Sequence, residues 1–237
     1  AKADNTICDK TLTSPAVNYN GSVTVSIGNI PSGGSSTDYT YAFTPAGGTQ
    51  TGGSTGNKYS QLNGGSYSVT VTQTATGCSS VSNATVVNTP AVMTIATSAA
   101  GSTNCTMTAA FANGTASVTQ VDGSPAVTSG FVYAWTGPTS PAFPVTTGTN
   151  NSNTKDLKLV QGGTGYDYTV VVTRQTDGCQ VTKAVNVPDA KVNPALTLAK
   201  ADNTICDKTL TSPAVNYNGS VTVSIGNIPS GGSSTDY

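Results

Sequence analysis

The amino-acid sequence predicts an all-β fold made of β-sandwich domains in a tandem array. Three observations predict it: residues that favour helices are scarce, short runs of alternating apolar and polar residues recur, and one long segment occurs twice. The chain has 237 residues with no Glu and a single Arg, and charged side chains occupy only 9% of its positions. Thr, Val, Ser, Gly and Tyr dominate instead, which is typical of strands and turns.

Apolar residues alternate with polar ones in several short runs, as expected of strands that bury one face. The residues predicted to share a buried face are Val23, Val25 and Ile27 in one run, Tyr67, Val69 and Val71 in a second, and Tyr168, Val170 and Val172 in a third. Glycine-rich turns separate the runs, because glycine permits the positive φ angles that tight turns require. The Thr-Gly-Cys sequence at 76–78 and the Asp-Gly-Cys sequence at 177–179 are predicted hairpin tips.

Residues 1–39 recur letter for letter as residues 199–237, so the repeat period is 198 residues. A weaker repeat lies within that period. The segment GGSYSVTVTQTATGC at 64–78 resembles GYDYTVVVTRQTDGC at 165–179, and YTYAFTP at 39–45 resembles FVYAWTGP at 131–138. Each period therefore contains two related domains of about 100 residues, a usual size for an immunoglobulin-like sandwich.

Proline-containing links mark the predicted domain boundaries, because proline cannot donate a ladder hydrogen bond and stiffens a short connection. The domains are predicted at 1–90, 91–193 and 194–237, the last being the first half of a further copy of domain one. The opening strand of domain one is expected to precede residue 1, since its counterpart lies at 195–198. We therefore expect the chain to be a segment of a longer array; the alternative is that neighbouring chains complete each other's domains.

The chain has five cysteines, and each 198-residue period holds four of them at matched places, which predicts disulfides and an oxidising compartment. They are Cys8, Cys78, Cys105, Cys179 and Cys206. The favoured pairs are Cys8 with Cys78 and Cys105 with Cys179, each of which would close one domain. The alternative pairs are Cys78 with Cys105 and Cys179 with Cys206, which would join neighbouring domains. Metal binding by these cysteines is not expected, since there is no CxxC motif and no His.

Trp135 is the only Trp, and it lies on a strand equivalent to the one that carries Phe43. We interpret both aromatic residues as core anchors. The alternative is a surface aromatic residue that stacks on sugar.

The sequence lacks the features of an enzyme. General acid–base chemistry without His or Glu would depend on Asp, Lys, Tyr or Cys, and no nucleophile elbow, phosphate-binding loop or dinucleotide fingerprint occurs. No catalytic, cofactor-binding or metal-ligating residue is assigned, and no cofactor is expected; Ca²⁺ at a domain junction is the one alternative considered. With a net charge of -1 and no basic cluster, nucleic acid is not an expected partner. No apolar stretch approaches the roughly 20 residues of a membrane span.

Four features together resemble the Ig-like tandem repeats of large bacterial cell-surface adhesins, including the gliding-motility adhesin repeats of Bacteroidota. They are the Y-[ST]-V-x-V-T…G-C hairpin, the Gly-Gly turn before it, the Y-A-[FW] strand, and the Cys before an early strand. The resemblance covers both domains. It implies a secreted, extracellular, repetitive protein at the cell surface that displays or makes adhesive contacts.

The principal functional hypothesis is a structural protein, an extracellular filament or stalk of stacked sandwiches in which each domain meets only its neighbours. Its partners would be neighbouring repeats of the same chain or identical chains. One alternative is a glycan- or surface-binding module of an adhesin. The other is a set of accessory domains of a secreted enzyme.

Overall fold

The computed structural model describes residues 1–30, 32–105 and 111–227, and it shows an all-β protein of antiparallel sheets. Residues 228–237 of the predicted third domain lie outside the described residues. Short 3-10 turns occur at Lys10–Leu12, Ser36–Asp38, Gly53–Thr55 and Lys208–Leu210.

The first sheet pair is formed by residues 2–86. Its strands are β1 (Lys2–Ala3), β2 (Gly21–Thr24), β3 (Tyr39–Thr44), β4 (Thr49–Thr51), β5 (Lys58–Leu62), β6 (Gly65–Gln73) and β7 (Ser79–Val86). One sheet has the order β1-β2-β5-β4 and the other the order β3-β6-β7. Buried side chains from both sheets contact each other, which is consistent with a β-sandwich.

The second sheet pair is formed by residues 95–186. Its strands are β8 (Ile95–Ala100), β9 (Gly114–Val121), β10 (Ser124–Pro125), β11 (Phe131–Thr136), β12 (Asp156–Val160), β13 (Asp167–Arg174) and β14 (Gln180–Asn186). In one sheet β9 pairs with β8, β10 and β12, and the other has the order β11-β13-β14. This arrangement resembles that of the first pair, with β8 in the place of β1 and β13–β14 in the place of β6–β7. It differs in its short strand, because β10 pairs with β9, whereas β4 pairs with β5.

The remaining strands, β15 (Ala195–Ala201) and β16 (Ser220–Gly226), pair over seven residues. They correspond in sequence to the region of β1 and β2. Leu196 and Leu198 of β15 are 65% and 69% exposed, so the apolar face of this hairpin carries no cover among the described residues.

The two sheet pairs have separate cores of different size. Among the described residues, the buried cluster of the second core contains 16 hydrophobic residues, including Met93 just before β8, and the partly buried Ile95 of β8 packs against it. The buried cluster of the first core contains four hydrophobic residues among those described. The difference follows from the strand next to β2, because β1 pairs with β2 only through Lys2 and Ala3, whereas β8 pairs with β9 along six residues.

The predicted alternation is confirmed most fully in β13, where Tyr168, Val170 and Val172 are all fully buried. In β6, Val69 is buried and its neighbours on the same face are half-buried. The run that begins at Val23 is shorter than predicted, because β2 ends at Thr24. Its exact copy continues to Gly226 in β16. The same amino-acid sequence thus forms a longer strand where β15 supplies a longer partner strand.

The interpretation of Trp135 as a core anchor is confirmed, and the alternative of a surface aromatic residue is wrong. Trp135 is 4% exposed, and its indole N–H donates to the carbonyl oxygen of Thr154 over 2.9 Å. Phe43 is half-buried and stacks on Tyr59 with ring centroids 4.9 Å apart.

Candidate functional site

The two predicted hairpin tips are present and carry a cysteine in the same local geometry. In both the β6–β7 tip and the β13–β14 tip, a backbone amide at the end of the first strand donates to the cysteine carbonyl oxygen over 2.8 Å. The glycine before the cysteine has φ 72° at Gly77 and φ 70° at Gly178. This left-handed conformation is one that glycine adopts without strain. Cys78 and Cys179 are therefore structurally equivalent.

The other three cysteines each end a short segment held by an asparagine and a threonine, and we call these the clamp segments 6–8, 103–105 and 204–206. In the first, the Thr6 amide donates to the side-chain oxygen of Asn20 over 2.8 Å, and the Asn20 amide group donates to the Thr6 hydroxyl over 2.7 Å. The same two bonds join Thr103 to Asn113 and Thr204 to Asn218. Cys8, Cys105 and Cys206 are thus also structurally equivalent.

Each of the first two clamp segments lies at the end where the chain leaves its sheet pair. Asn5, three residues before Cys8, forms a bridge with Asn88, just after β7; Ser102 forms the same bridge with Asp189, just after β14. Asn5 is fully buried, and its side chain donates to Asn88 over 2.7 Å. We call this end of a sheet pair its exit end.

The hairpin tip lies at the opposite end, where the chain enters. In the second sheet pair the guanidinium group of Arg174 donates to the carbonyl oxygen of Ala91, in the link that precedes β8. It also forms ion pairs with Asp122 and with Asp177 of the tip, at 2.9 Å and 2.8 Å. Hydrogen bonding to Asp177 raises the pKa of Arg174. The only Arg of the chain therefore ties the tip to the entry link.

A disulfide joins Cys8 at the exit end of the first sheet pair to Cys179 at the entry end of the second, across a sequence separation of 171 residues. Backbone hydrogen bonds reinforce it. The Cys8 amide donates to the carbonyl oxygen of Asp177 over 2.8 Å, and the Ser14 amide donates to that of Gln175 over 2.9 Å. We call this contact the junction.

The turn after Cys8 packs into the junction, and comparison with its copy shows how much it is covered. Leu12 is 38% exposed, whereas its copy Leu210 is 84% exposed. Thr13 is buried, but its copy Thr211 is only half-buried. Since the local sequences are identical, the difference reports contact with the second sheet pair.

Asp9 shapes the turn on the exit side. Its carboxylate accepts hydrogen bonds from the hydroxyl and the amide of Thr11, and these bonds lower the pKa of the carboxyl group. Asp207 makes the same bonds to Thr209 in the copy. The turn therefore forms whether or not a hairpin tip is docked on it, and it offers a preformed surface.

The favoured cysteine pairs of the sequence analysis are wrong, because neither Cys8–Cys78 nor Cys105–Cys179 forms. The clamp cysteine and the hairpin cysteine of one sheet pair lie at opposite ends of its last strand. About ten residues separate Asn88 from Cys78, which corresponds to roughly 33 Å of extended strand. Cys8, three residues beyond Asn5, reaches at most about 11 Å.

The alternative pairs, Cys78–Cys105 and Cys179–Cys206, do not form either. They correctly placed the bridge between neighbouring domains but joined the wrong cysteines. Cys78, Cys105 and Cys206 are free and exposed. Sequence reasoning also missed the contacts that Arg174 and Gly178 make at the entry end; the presence of a single Arg, three residues before the predicted hairpin tip at 177–179, was the available signal.

Gly178 of the tip lies directly against the backbone of Asp9 in the junction. A Cβ atom at this position would overlap the carbonyl oxygen of Asp9, whereas a Cβ atom at Gly77 would meet nothing within 4 Å. Both glycines have the same positive φ, so alanine at either position carries the same backbone cost of about 1–2 kcal/mol. The two positions are therefore a matched pair.

We expect Gly178→Ala to destabilise the chain by at least about 2 kcal/mol more than Gly77→Ala, because only Gly178→Ala adds an overlap with backbone at the junction. The fraction of chains with an oxidised Cys8–Cys179 pair should fall as well. Calorimetry and thiol titration of the two variants measure these effects. Equal losses in both variants would show that the contact with Asp9 is unimportant.

The described residues contain no cluster of three or more Cys and Asp side chains placed to hold a metal ion.

Cavities surround the first sheet pair; one of about 430 Å³ opens between its sheets and is lined by Val23, Phe43, Tyr67 and Val69 among others. This cavity lies beside the short β1.

Burial raises the pKa of Tyr168 in the second core. The Tyr168 hydroxyl donates to the carbonyl oxygen of Gln161, so it is a structural donor.

Comparison with known protein-family models and with curated proteins finds no match to this chain. None of the helical segments in the described residues has the length and apolar character needed to cross a membrane.

Proposed function

We propose that this chain is a structural segment of an extracellular filament or stalk, built from tandem immunoglobulin-like β-sandwich repeats of the kind that bacterial cell-surface adhesins carry. In this proposal it has no catalytic activity and needs no cofactor. Its partners are neighbouring repeats, and the domains are those given above, 1–90, 91–193 and 194–237.

The junction is the observation that carries the proposal. A disulfide, backbone hydrogen bonds and a packed turn join the exit end of one sheet pair to the entry end of the next. Such a joint fixes consecutive units in a line and resists their separation. A disulfide also favours an oxidising, extracellular setting. Residues 199–237 repeat residues 1–39 exactly, and this period of 198 residues supports recurrence of the same unit along the line.

The composition supports the same proposal. A surface of Ser, Thr, Asn and Gly with few charges suits a repetitive, exposed protein that does not attract nucleic acid. Exact repetition is typical of quasi-one-dimensional assemblies in which each unit contacts only its neighbours.

Electron microscopy of the native, unfractionated material tests the proposal. A domain of this size is about 35–40 Å long, so a two-domain unit should give an axial period of about 70–80 Å. Long filaments with that period are the expected result. Short, discrete particles would overturn the filament and would direct attention to ligand binding by an isolated module.

A further inference from the structure

We propose that the junction recurs between repeat units, so that Cys105 of one unit forms a disulfide with Cys78 of the next unit. This inference rests on the proposed function, which it deepens by naming the partner surface as a second copy of the 198-residue unit. It concerns two of the cysteines that are free within the described chain.

The observed disulfide joins an exit end to the entry end of the next sheet pair, and this gives a pairing rule. A clamp cysteine at the exit end of one sheet pair bonds to the hairpin cysteine at the entry end of the sheet pair that follows it. Under this rule the clamp cysteine of the second sheet pair, Cys105, requires the hairpin tip of a third sheet pair. The third pair is a copy of the first, because residues 199–237 repeat residues 1–39. Its hairpin cysteine is therefore a copy of Cys78.

The described parts of both halves of the new junction, the tip at Cys78 and the clamp segment 103–105, already have the required local structure. The tip at Cys78 has the glycine conformation and the backbone hydrogen bond of the tip at Cys179. The clamp at Cys105 has the two asparagine–threonine bonds of the clamp at Cys8. The space beside Gly77 is open, whereas the corresponding space beside Gly178 is occupied by the backbone of Asp9. A preformed surface loses little conformational freedom on docking.

The junction has a direction along the chain. Entry and exit ends are opposite ends of each sheet pair, so joining an exit end to an entry end is a heterologous, head-to-tail contact. Repetition of such a contact does not pair two copies and stop; it extends into a line when its rotation does not close a ring. Cys206 is an exact copy of Cys8 and, by the same rule, would bond to the hairpin cysteine of the sheet pair that follows the third, a copy of Cys179.

The bond forms by oxidation of two thiols. The S–H bonds of Cys105 and Cys78 break and one S–S bond forms. The two electrons and two protons pass to a disulfide oxidant, such as oxidised glutathione, which is reduced to two thiols. Attack proceeds through the thiolate and a mixed disulfide, and both cysteines are exposed and accessible to such a reagent.

The test uses the purified 237-residue chain, incubated at high concentration with oxidised and reduced glutathione and then separated on non-reducing gels. We expect a ladder of oligomers that collapses on reduction, and mass spectrometry should find the peptide with Cys78 linked mainly to the peptide with Cys105. Cys78→Ser and Cys105→Ser should each remove this linked peptide and reduce the ladder at least tenfold. Cys206→Ser is the matched control and should leave both in place.

Gly77→Ala separates a docked junction from random oxidation. The variant keeps all five cysteines and the internal Cys8–Cys179 bond, but its new methyl group occupies the space that the proposed partner needs. A large loss of the ladder supports the inference. Linkage among the exposed cysteines in random combinations, a ladder that Gly77→Ala leaves unchanged, or no ladder at all would overturn it.

Disulfide mapping of the native material distinguishes this inference from the proposed function. Filaments with the expected period whose Cys78 and Cys105 thiols are free would overturn the recurrent disulfide and leave the filament in place. Linked, discrete oligomers without filaments would overturn the proposed function and retain the junction between copies.

Discussion

Reduction of the Cys8–Cys179 disulfide is expected to lower the Tm of the chain by roughly 10 °C. The bond closes a loop that spans both cores, with a sequence separation of 171 residues. In the chain-entropy model a loop of this length contributes about 5 kcal/mol, and measured disulfides typically contribute 2–4 kcal/mol. About 1 kcal/mol corresponds to a Tm shift of 2–4 °C for a chain of this size.

Calorimetry of the oxidised and reduced chain measures this shift, with thiol titration to verify that three thiols have become five. The double variant Cys8→Ser/Cys179→Ser should melt like the reduced chain and should not respond to reductant. The matched control Cys78→Ser/Cys105→Ser should melt like the oxidised chain, because those cysteines are free. An unchanged melt after verified reduction would contradict a stabilising role for the junction.

Trp135→Ala is expected to destabilise the second sheet pair by about 3–5 kcal/mol. Trp135 is 4% exposed and packs in the larger core, where it lies opposite Val170 in the pairing of β11 with β13. Removing it loses the transfer free energy of a large aromatic side chain, opens a cavity, and leaves the carbonyl oxygen of Thr154 without its indole donor.

Amide hydrogen exchange under native conditions locates this effect. Protection should fall across β9 and β11–β14, whereas β3, β6 and β7 of the other core should keep theirs, because the two cores share no buried cluster among the described residues. Val132→Ala, on the same strand but 46% exposed, is the control and should change stability by less than about 0.5 kcal/mol. Equal loss of protection in both sheet pairs would instead indicate that they unfold as one unit.

Much of the local structure was predictable, because it depends on short-range chemistry. The alternation around Val170 predicted a buried strand face, and the glycines at 77 and 178 predicted hairpin tips. These features need only a strand period of two and a residue that tolerates positive φ. The prediction failed partly at Val25 and Ile27, which lie beyond the end of β2, because strand length depends on the partner strand.

The cysteine pairing shows most clearly what could not be predicted from the sequence. The favoured pairs would each close one domain, but position along the chain does not show at which end of a sandwich a residue lies. That depends on which strand Asn5 pairs with, and it pairs beside the end of β7, far from Cys78. The pairing with Cys179 required a contact between two sheet pairs, which no local pattern encodes.

The sequence by itself determined the all-β class, the 198-residue period, the strand faces and the turns, because each depends on residue type and near-neighbour spacing. Only the tertiary structure decided the disulfide partner of Cys8, the hydrogen bond by which Arg174 ties the hairpin tip to the entry link, and the contact of Gly178 with Asp9. These features bring together residues far apart in the chain, and they exist only once two folded sheet pairs meet end against end.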